Sequence, residues 1–308
     1  MPVPLPQISN FEVDALGGAC VRPWEEYNAA TLIELSCQVP AGRTFRASLV
    51  NLALDQVHLA HVRGTAHLVR RDRPMVADRP TGAIGVYAAL RGEVRTESGS
   101  LRTVIRPGQA LVCDVDSPFR REFGCGLEEF VVKVPRAALT TIAGMREFGP
   151  LVLDTAADPH ARALVRLVGR AVGSPVPVPA DDQTVLELVA VIVGGGRVRL
   201  PLAHRAAARA FIEDNLADPY LSAADVAAGI GISERQLSRI FAELGTSVPR
   251  HVLARRLDRA RSMLIHAGSD RRTVDIAAQC GFTSMPYFST AFKRRFGVAA
   301  GEVRRASR

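Results

Sequence analysis

The sequence predicts an α+β fold, with an antiparallel β-barrel or sandwich ahead of an all-α domain, and three observations carry that expectation. Between Phe45 and Val134, short β-rich runs alternate with turn signals. After Pro135 the apolar residues switch to helical spacing. In the last third, a pattern of short helix, glycine turn and second helix occurs twice, fifty residues apart. The length of 308 residues suits about two domains.

The strand runs are FRASLVNLAL, IGVYAAL, ALVCDV and EEFVVKV, separated by turns such as Arg91-Gly92, Ser98-Gly99 and Pro107-Gly108. Many short strands at this spacing fold as a small antiparallel barrel or sandwich. Beyond Pro135, His160, Leu164, Leu167, Val168 and Ala171 share one helical stripe, and Val185, Leu188, Val189 and Ile192 share another. The proline-rich GSPVPVPADD joins these two helices. Two uses of the stripes stand open, singly or together: covering the barrel and forming a dimer seam. Gly194-Gly195-Gly196 to Pro201 reads as an interdomain break. The expected domains are 1–196 (barrel about 20–134, helices about 135–193), a linker at 197–203 and a helical domain at 204–308.

With 47% hydrophobic and 23% charged residues, the composition is that of a soluble globular protein. No run approaches the ~18 apolar residues of a membrane span. The opening MPVPLPQISNFEVD lacks the basic and then apolar pattern of an export signal, so a cytoplasmic protein is expected. Cys20, Cys37, Cys113, Cys125 and Cys280 include no CxxC pair, which argues against a disulfide framework or a structural zinc site. The net charge of +8 is uneven, with a balance of +7 from Ala203 onward and +1 before it. All but Lys133 and Lys293 of the 39 basic residues are arginine, whose planar fork matches phosphate and guanine. A basic, arginine-rich C-terminal domain implies nucleic acid as its partner.

The repeat aligns DVAAGIGIS, starting at Asp225, with DIAAQCGFT, starting at Asp275, and so pairs Gly231 with Gly281 at the turn. Small alanines let the first helix of each unit lie close to the second, and glycine supplies the turn conformation; this is the helix-turn-helix pattern. Ser222 with Asp225, and Ser233 with Gln236, have capping-box spacing. In the helix after Ser233, Leu237, Ile240, Phe241 and Leu244 form the buried stripe, leaving Arg235, Ser238, Arg239 and Ala242 for a groove. In the second unit Ser284 is the expected cap and Phe288, Ala291, Phe292 and Phe296 the core stripe. Met285, Pro286, Ser289, Thr290 and Lys293 then face a groove. A helix from about Val248 to His266 joins the units, and its ~18 residues at ~1.5 Å each span roughly 27 Å, comparable with one turn of duplex DNA at about 34 Å. Phosphate contact is expected of Arg255 and Arg259 on this helix, and a structural role of Arg256 beside its core stripe.

The last third closely resembles the DNA-binding domain of AraC/XylS-type transcription regulators, through IEDNLADPYLSAADVAAGIGISERQLSRIF, RRLDRARSML and IAAQCGFTSMPYFSTAFKRRFG. The resemblance implies two units on adjacent major grooves near promoters. It carries base reading to Arg235, Ser238 and Arg239 in the first unit and to Met285, Ser289, Thr290 and Lys293 in the second. The chain departs from the family pattern at Thr290, where many members carry arginine, and at Ala300 and Val303 in the closing segment. Residues 20 to 139 resemble the sensor domain of XylS-like regulators through Trp24-Glu25, FRASLVNLALDQVHLAHV, the Arg106-Pro107-Gly108 turn and Val134-Pro135-Arg136. That likeness implies a cupin-like barrel for a small effector, and helices that support dimerisation. Trp24, His61, Tyr87 and Phe119 are the pocket candidates, because aromatic and imidazole groups suit a small aromatic or polar ligand. The expected function is sequence-specific, double-stranded DNA-binding transcription regulation. An activator is expected, acting on RNA polymerase as a homodimer and controlled by an effector or by dimerisation.

No catalytic residue, cofactor or metal-ligand set is expected. The Pro107-Gly108 turn is followed by QALVCDV, without the histidine of a metal-dependent cupin. Of His58, His61 and His67, a regular strand places only His61 and His67 on one face. No glycine-rich phosphate loop, G-x-S-x-G or paired-carboxylate motif stands out. Two alternatives remain: an N-terminal domain that binds a protein partner, or a metal-binding cupin enzyme fused to a DNA-binding domain.

Overall fold

The computed structural model describes residues 7–16, 21–174, 180–266 and 271–306, so Cys20 and the prolines of GSPVPVPADD lie outside the described residues. Two antiparallel sheets face one another in the N-terminal part. The larger contains β1 (Gln7–Leu16), β3 (Thr44–Ala53), β4 (His58–Gly64), β6 (Ala83–Arg91), β9 (Gln109–Asp114), β11 (Leu127–Pro135) and β12 (Leu151–Asp154), in the order β1-β3-β4-β11-β6-β9-β12. The smaller contains β2 (Ser36–Gln38), β5 (His67–Arg71), β7 (Val94–Ser98), β8 (Leu101–Ile105) and β10 (Phe119–Phe123), in the order β2-β5-β10-β7-β8. The sheets do not close on each other, so the expected barrel is an open, two-sheet form of the fold.

The larger sheet is covered on both faces, which explains the near-continuous apolar runs of β6 and β11. Side chains alternate along each strand. Ala60, Val62, Tyr87 and Val131 enter the space between the sheets with Trp24, Phe45, Phe119 and Phe123. Leu59, Val86, Phe130 and Val132 point outward, where α4 (Pro159–Val172) and α5 (Asp182–Gly194) cover them. Leu164, Leu167, Val168, Ala171, Val185, Leu188 and Val189 are all buried there, so the two apolar stripes find their partner within the chain. A further helix, α1 (Val21–Thr31), buries Trp24 and Asn28, while the short α2 (Arg73–Asp78) and α3 (Arg136–Ala143) connect strands.

The expected linker at 197–203 is not an extended connection. Gly195–Arg197 forms a single 3-10 turn, and α6 (Leu200–Asn215) follows with Pro201 in its first turn, where proline starts a helix. Leu202, Ala206 and Ala210 of α6 belong to the core beneath α4 and α5, whereas Ala208 and Ile212 enter the next core along the chain. One helix is thus shared by both halves of the molecule.

The rest is helical: α7 (Ala223–Gly229), α8 (Glu234–Glu243), α9 (Val248–His266), α10 (Thr273–Gln279), α11 (Met285–Phe296) and α12 (Ala300–Ala306). Val226, Leu237, Ile240 and Phe241 form one apolar core with Val248 and Val252 of α9. Ile276, Phe288, Ala291 and Phe292 form a second with Leu257, Ala260, Met263 and Leu264 of the same helix. The two turn glycines have matching left-handed backbones, with φ of 72° at Gly231 and 80° at Gly281. A side chain at Gly281 would also strike the Leu216 carbonyl oxygen at 2.6 Å. Among the described residues, no helix is long and apolar enough to cross a membrane.

Candidate nucleic-acid interface and inter-sheet cavity

Local sequence sets the ends of the two exposed helices. Ser222 and Asp225 complete a capping box on α7. The Ser233 hydroxyl accepts the Gln236 N–H at 3.2 Å at the start of α8, and Ser284 accepts that of Tyr287 at 3.4 Å at the start of α11. With Leu237, Ile240 and Phe241 turned inward, Arg235, Ser238, Arg239 and Ala242 are all exposed along α8. On α11, Pro286, Ser289, Thr290 and Lys293 are exposed, and Met285 is half-buried against the second core.

The arginines of α9 divide sharply. Arg255 is 7% exposed, and its guanidinium bonds the Glu213 carboxylate on α6, with Asp258 at 3.5 Å. Burial alone would weaken its positive charge, but Glu213 and Asp181 outweigh that and raise its pKa. The expected phosphate contact of Arg255 is therefore corrected, since its charge is spent inside the domain. Arg256 donates to the carbonyls of Leu216, at 3.0 Å, and Asp218, which ties α9 to the end of α6. Arg259 is half-buried.

Between the sheets lies a cleft whose empty space, open solvent included, is about 430 Å³. Trp24, Tyr87 and Phe119 line it together, with His67, Arg121, Phe123 and Glu129. His61 is not there. It lies on the opposite face of β4, its Nε2 3.0 Å from Glu128 and its ring centre 4.9 Å from that of Phe130. The expectation that His61 and His67 share a face fails because the chain leaves one sheet after Gly64 and joins the other at His67, which breaks the alternation. His67 Nδ1 sits 2.7 Å from the Thr65 carbonyl, and burial pulls the ring down to about 4, so it is neutral at pH 7.

Arg121 and Glu129 were missed in the sequence, although a signal was present. In FRREF and LEEFVVKV each occupies an inward position between apolar neighbours. Two parallel bonds of 2.9 and 2.6 Å join them. Among the described residues, no group of three or more His, Cys, Asp or Glu side chains is placed to hold a metal ion.

Two family models match the chain: an AraC-binding-like domain over residues 24–193 and a helix-turn-helix domain over residues 226–306. The chain belongs to the AraC/XylS family of transcription regulators. It is 25% identical to the transcriptional activator NphR of Rhodococcus sp over 295 residues, 90% of this chain and 88% of that one. It is 36% identical to the transcriptional activator RhrA of Rhizobium meliloti (strain 1021) over 94 residues, 30% of each chain. The solved structure of the AraC-like transcriptional activator CuxR covers 88% of this chain and 100% of its own, with 19% identity and a TM-score of 0.49. This AraC/XylS regulator binds DNA through its helix-turn-helix domain.

Proposed function

We propose that the protein is a transcriptional activator whose α8 and α11 read bases in consecutive major grooves while the inter-sheet cavity receives a small effector. The two exposed helix faces joined by α9 carry this reading. At ~1.5 Å per residue, the 19 residues of α9 span about 28 Å, close to one helical turn of DNA. Arg235, Ser238 and Arg239 read the first half-site, Met285, Ser289, Thr290 and Lys293 read the second, and Arg259 meets phosphate. RNA polymerase and a second copy of the chain complete the set of partners. Residues 1–196 form the sensor domain and 204–308 the DNA-binding domain, with α6 spanning the boundary.

Effector control needs a mechanical link, because a ligand shifts an equilibrium only through its different affinity for two states. The start of α5 supplies one. The Asp182 carboxylate accepts the N–H groups of Asp55, Gln56 and Val57 at the β3–β4 turn, at 3.0, 3.2 and 3.0 Å. Its neighbour Asp181 caps α5 through Thr184 and pairs with Arg209 of α6 at 3.0 Å. One turn on, the fully buried Glu187 lies 2.9 Å from Arg205 and 3.3 Å from Arg209. A displacement of the larger sheet thereby reaches the helix that supports α7 and α8.

A reporter driven by a promoter fragment that the full-length protein retains tests this function. Transcription rises when the protein is present, and its response to small molecules is lost in a Tyr87→Ala, Phe119→Ala double variant. Repression, or an unchanged response in that variant, contradicts it.

A further inference from the structure

The inter-sheet cavity has an electrostatic balance that selects among ligands. Arg121 and Glu129 have only 3% and 5% of their side chains exposed, and they neutralise each other. The guanidinium carbon of Arg121 lies 4.3 Å from the centre of the Tyr87 ring and 5.2 Å from that of Phe123, so the charge is also framed by aromatic faces. His67 adds no charge at pH 7. Two buried donors in this wall, Trp24 Nε1 and Arg121 Nε, meet no acceptor among the described residues. A buried N–H left unmatched is costly, and a ligand oxygen removes the cost.

Building on the effector reading above, the geometry points to an uncharged, flat, mainly apolar ligand that bears a carbonyl or similar acceptor oxygen for the Trp24 and Arg121 N–H groups. A carboxylate ligand would meet Glu129, which already holds both ends of Arg121. A cationic ligand would meet the guanidinium. A plain hydrocarbon would fit the walls of Trp24, Tyr87, Phe119 and Phe123 but leave both donors unmatched.

Trp24 is the one tryptophan of the chain, so its emission reports on the cavity directly. The test titrates the full-length protein with benzamide, benzoate, benzamidine and styrene, which share a planar shape and differ in charge and acceptor. Each is followed by Trp24 fluorescence and by melting temperature. Benzamide is expected to bind at least tenfold more tightly than the other three. In Glu129→Gln, which leaves the Arg121 charge uncompensated, benzoate is expected to overtake benzamide; if that variant does not fold, the wild-type ranking decides alone. Tightest binding of benzoate or benzamidine to the wild type overturns the uncharged class and leaves a sensor in place. Styrene equal to benzamide overturns the acceptor requirement. No change in emission or melting with any of the four overturns both the ligand class and the effector reading.

Discussion

Arg239 and Arg255 show how position decides what a guanidinium does. Arg239 stands in solvent on α8, whereas Arg255 is enclosed by Glu213 and Asp258. Replacing Arg239 with alanine is expected to cost about 1–3 kcal/mol on a preferred duplex and little on scrambled DNA, as measured by fluorescence anisotropy. Replacing Arg255 with alanine strands the buried Glu213 carboxylate and is expected to destabilise the fold by about 3–5 kcal/mol in urea titrations. Local spacing did not separate Arg255 from Arg259, because the partner that claims Arg255 lies on another helix far back in the chain. His67 gives a pH signature of its own. Below about pH 6.5 the unfolded imidazole takes up a proton that the folded ring refuses until about pH 4. Its contribution is complete above pH 6.5 and lost as the pH falls from there to about 4. The urea midpoint is therefore expected to drop over that window, and less steeply in His67→Gln.

Among the elements, α6 and the start of α5 do the joining. Removing the Asp182 carboxylate frees three N–H groups at the β3–β4 turn, and Asp182→Ala is expected to destabilise by about 1–3 kcal/mol. Hydrogen exchange checks it: amides of the turn and of the first turn of α5 lose protection together, while those of α11 do not. The helices of the repeat were legible because caps, glycine turns and apolar stripes all lie within a few residues of each other. The strands β3, β6, β9 and β11 were legible from their β-rich runs. The edge strand β1 and helix α1 were not, since what holds them is distant: β1 pairs along β3, and α1 is anchored by Trp24 between the sheets. The four residues of β12 are too few to show a period, and only their pairing with β9 makes them a strand. The glycines before Pro201 mark a turn, but they hide that the next helix begins at once and belongs to both cores.

For the molecule as a whole, the concentration of arginine beyond Ala203 sets the response to salt. Arginines that displace counterions from phosphates make affinity fall linearly on a log–log plot, with a slope of about −0.9 per contact. A steep negative slope is expected for the full-length protein, shallower by about one in Arg259→Ala, whose loss should be alike on all sequences. The covering helices and the shared α6 link the larger sheet to the core of α7 and α8. The pocket was partly legible: Trp24, Tyr87 and Phe119 are in its wall, while Arg121 and Glu129 went unseen because neither charge shows its partner in the sequence. The most direct measurement is selection of bound duplexes from a random-sequence pool by the full-length protein. Two conserved blocks centred about 10–10.5 base pairs apart are expected, one blurred by Arg239→Ala and the other by Lys293→Ala. A single block, or no enrichment over random duplex, contradicts the reading of two consecutive grooves.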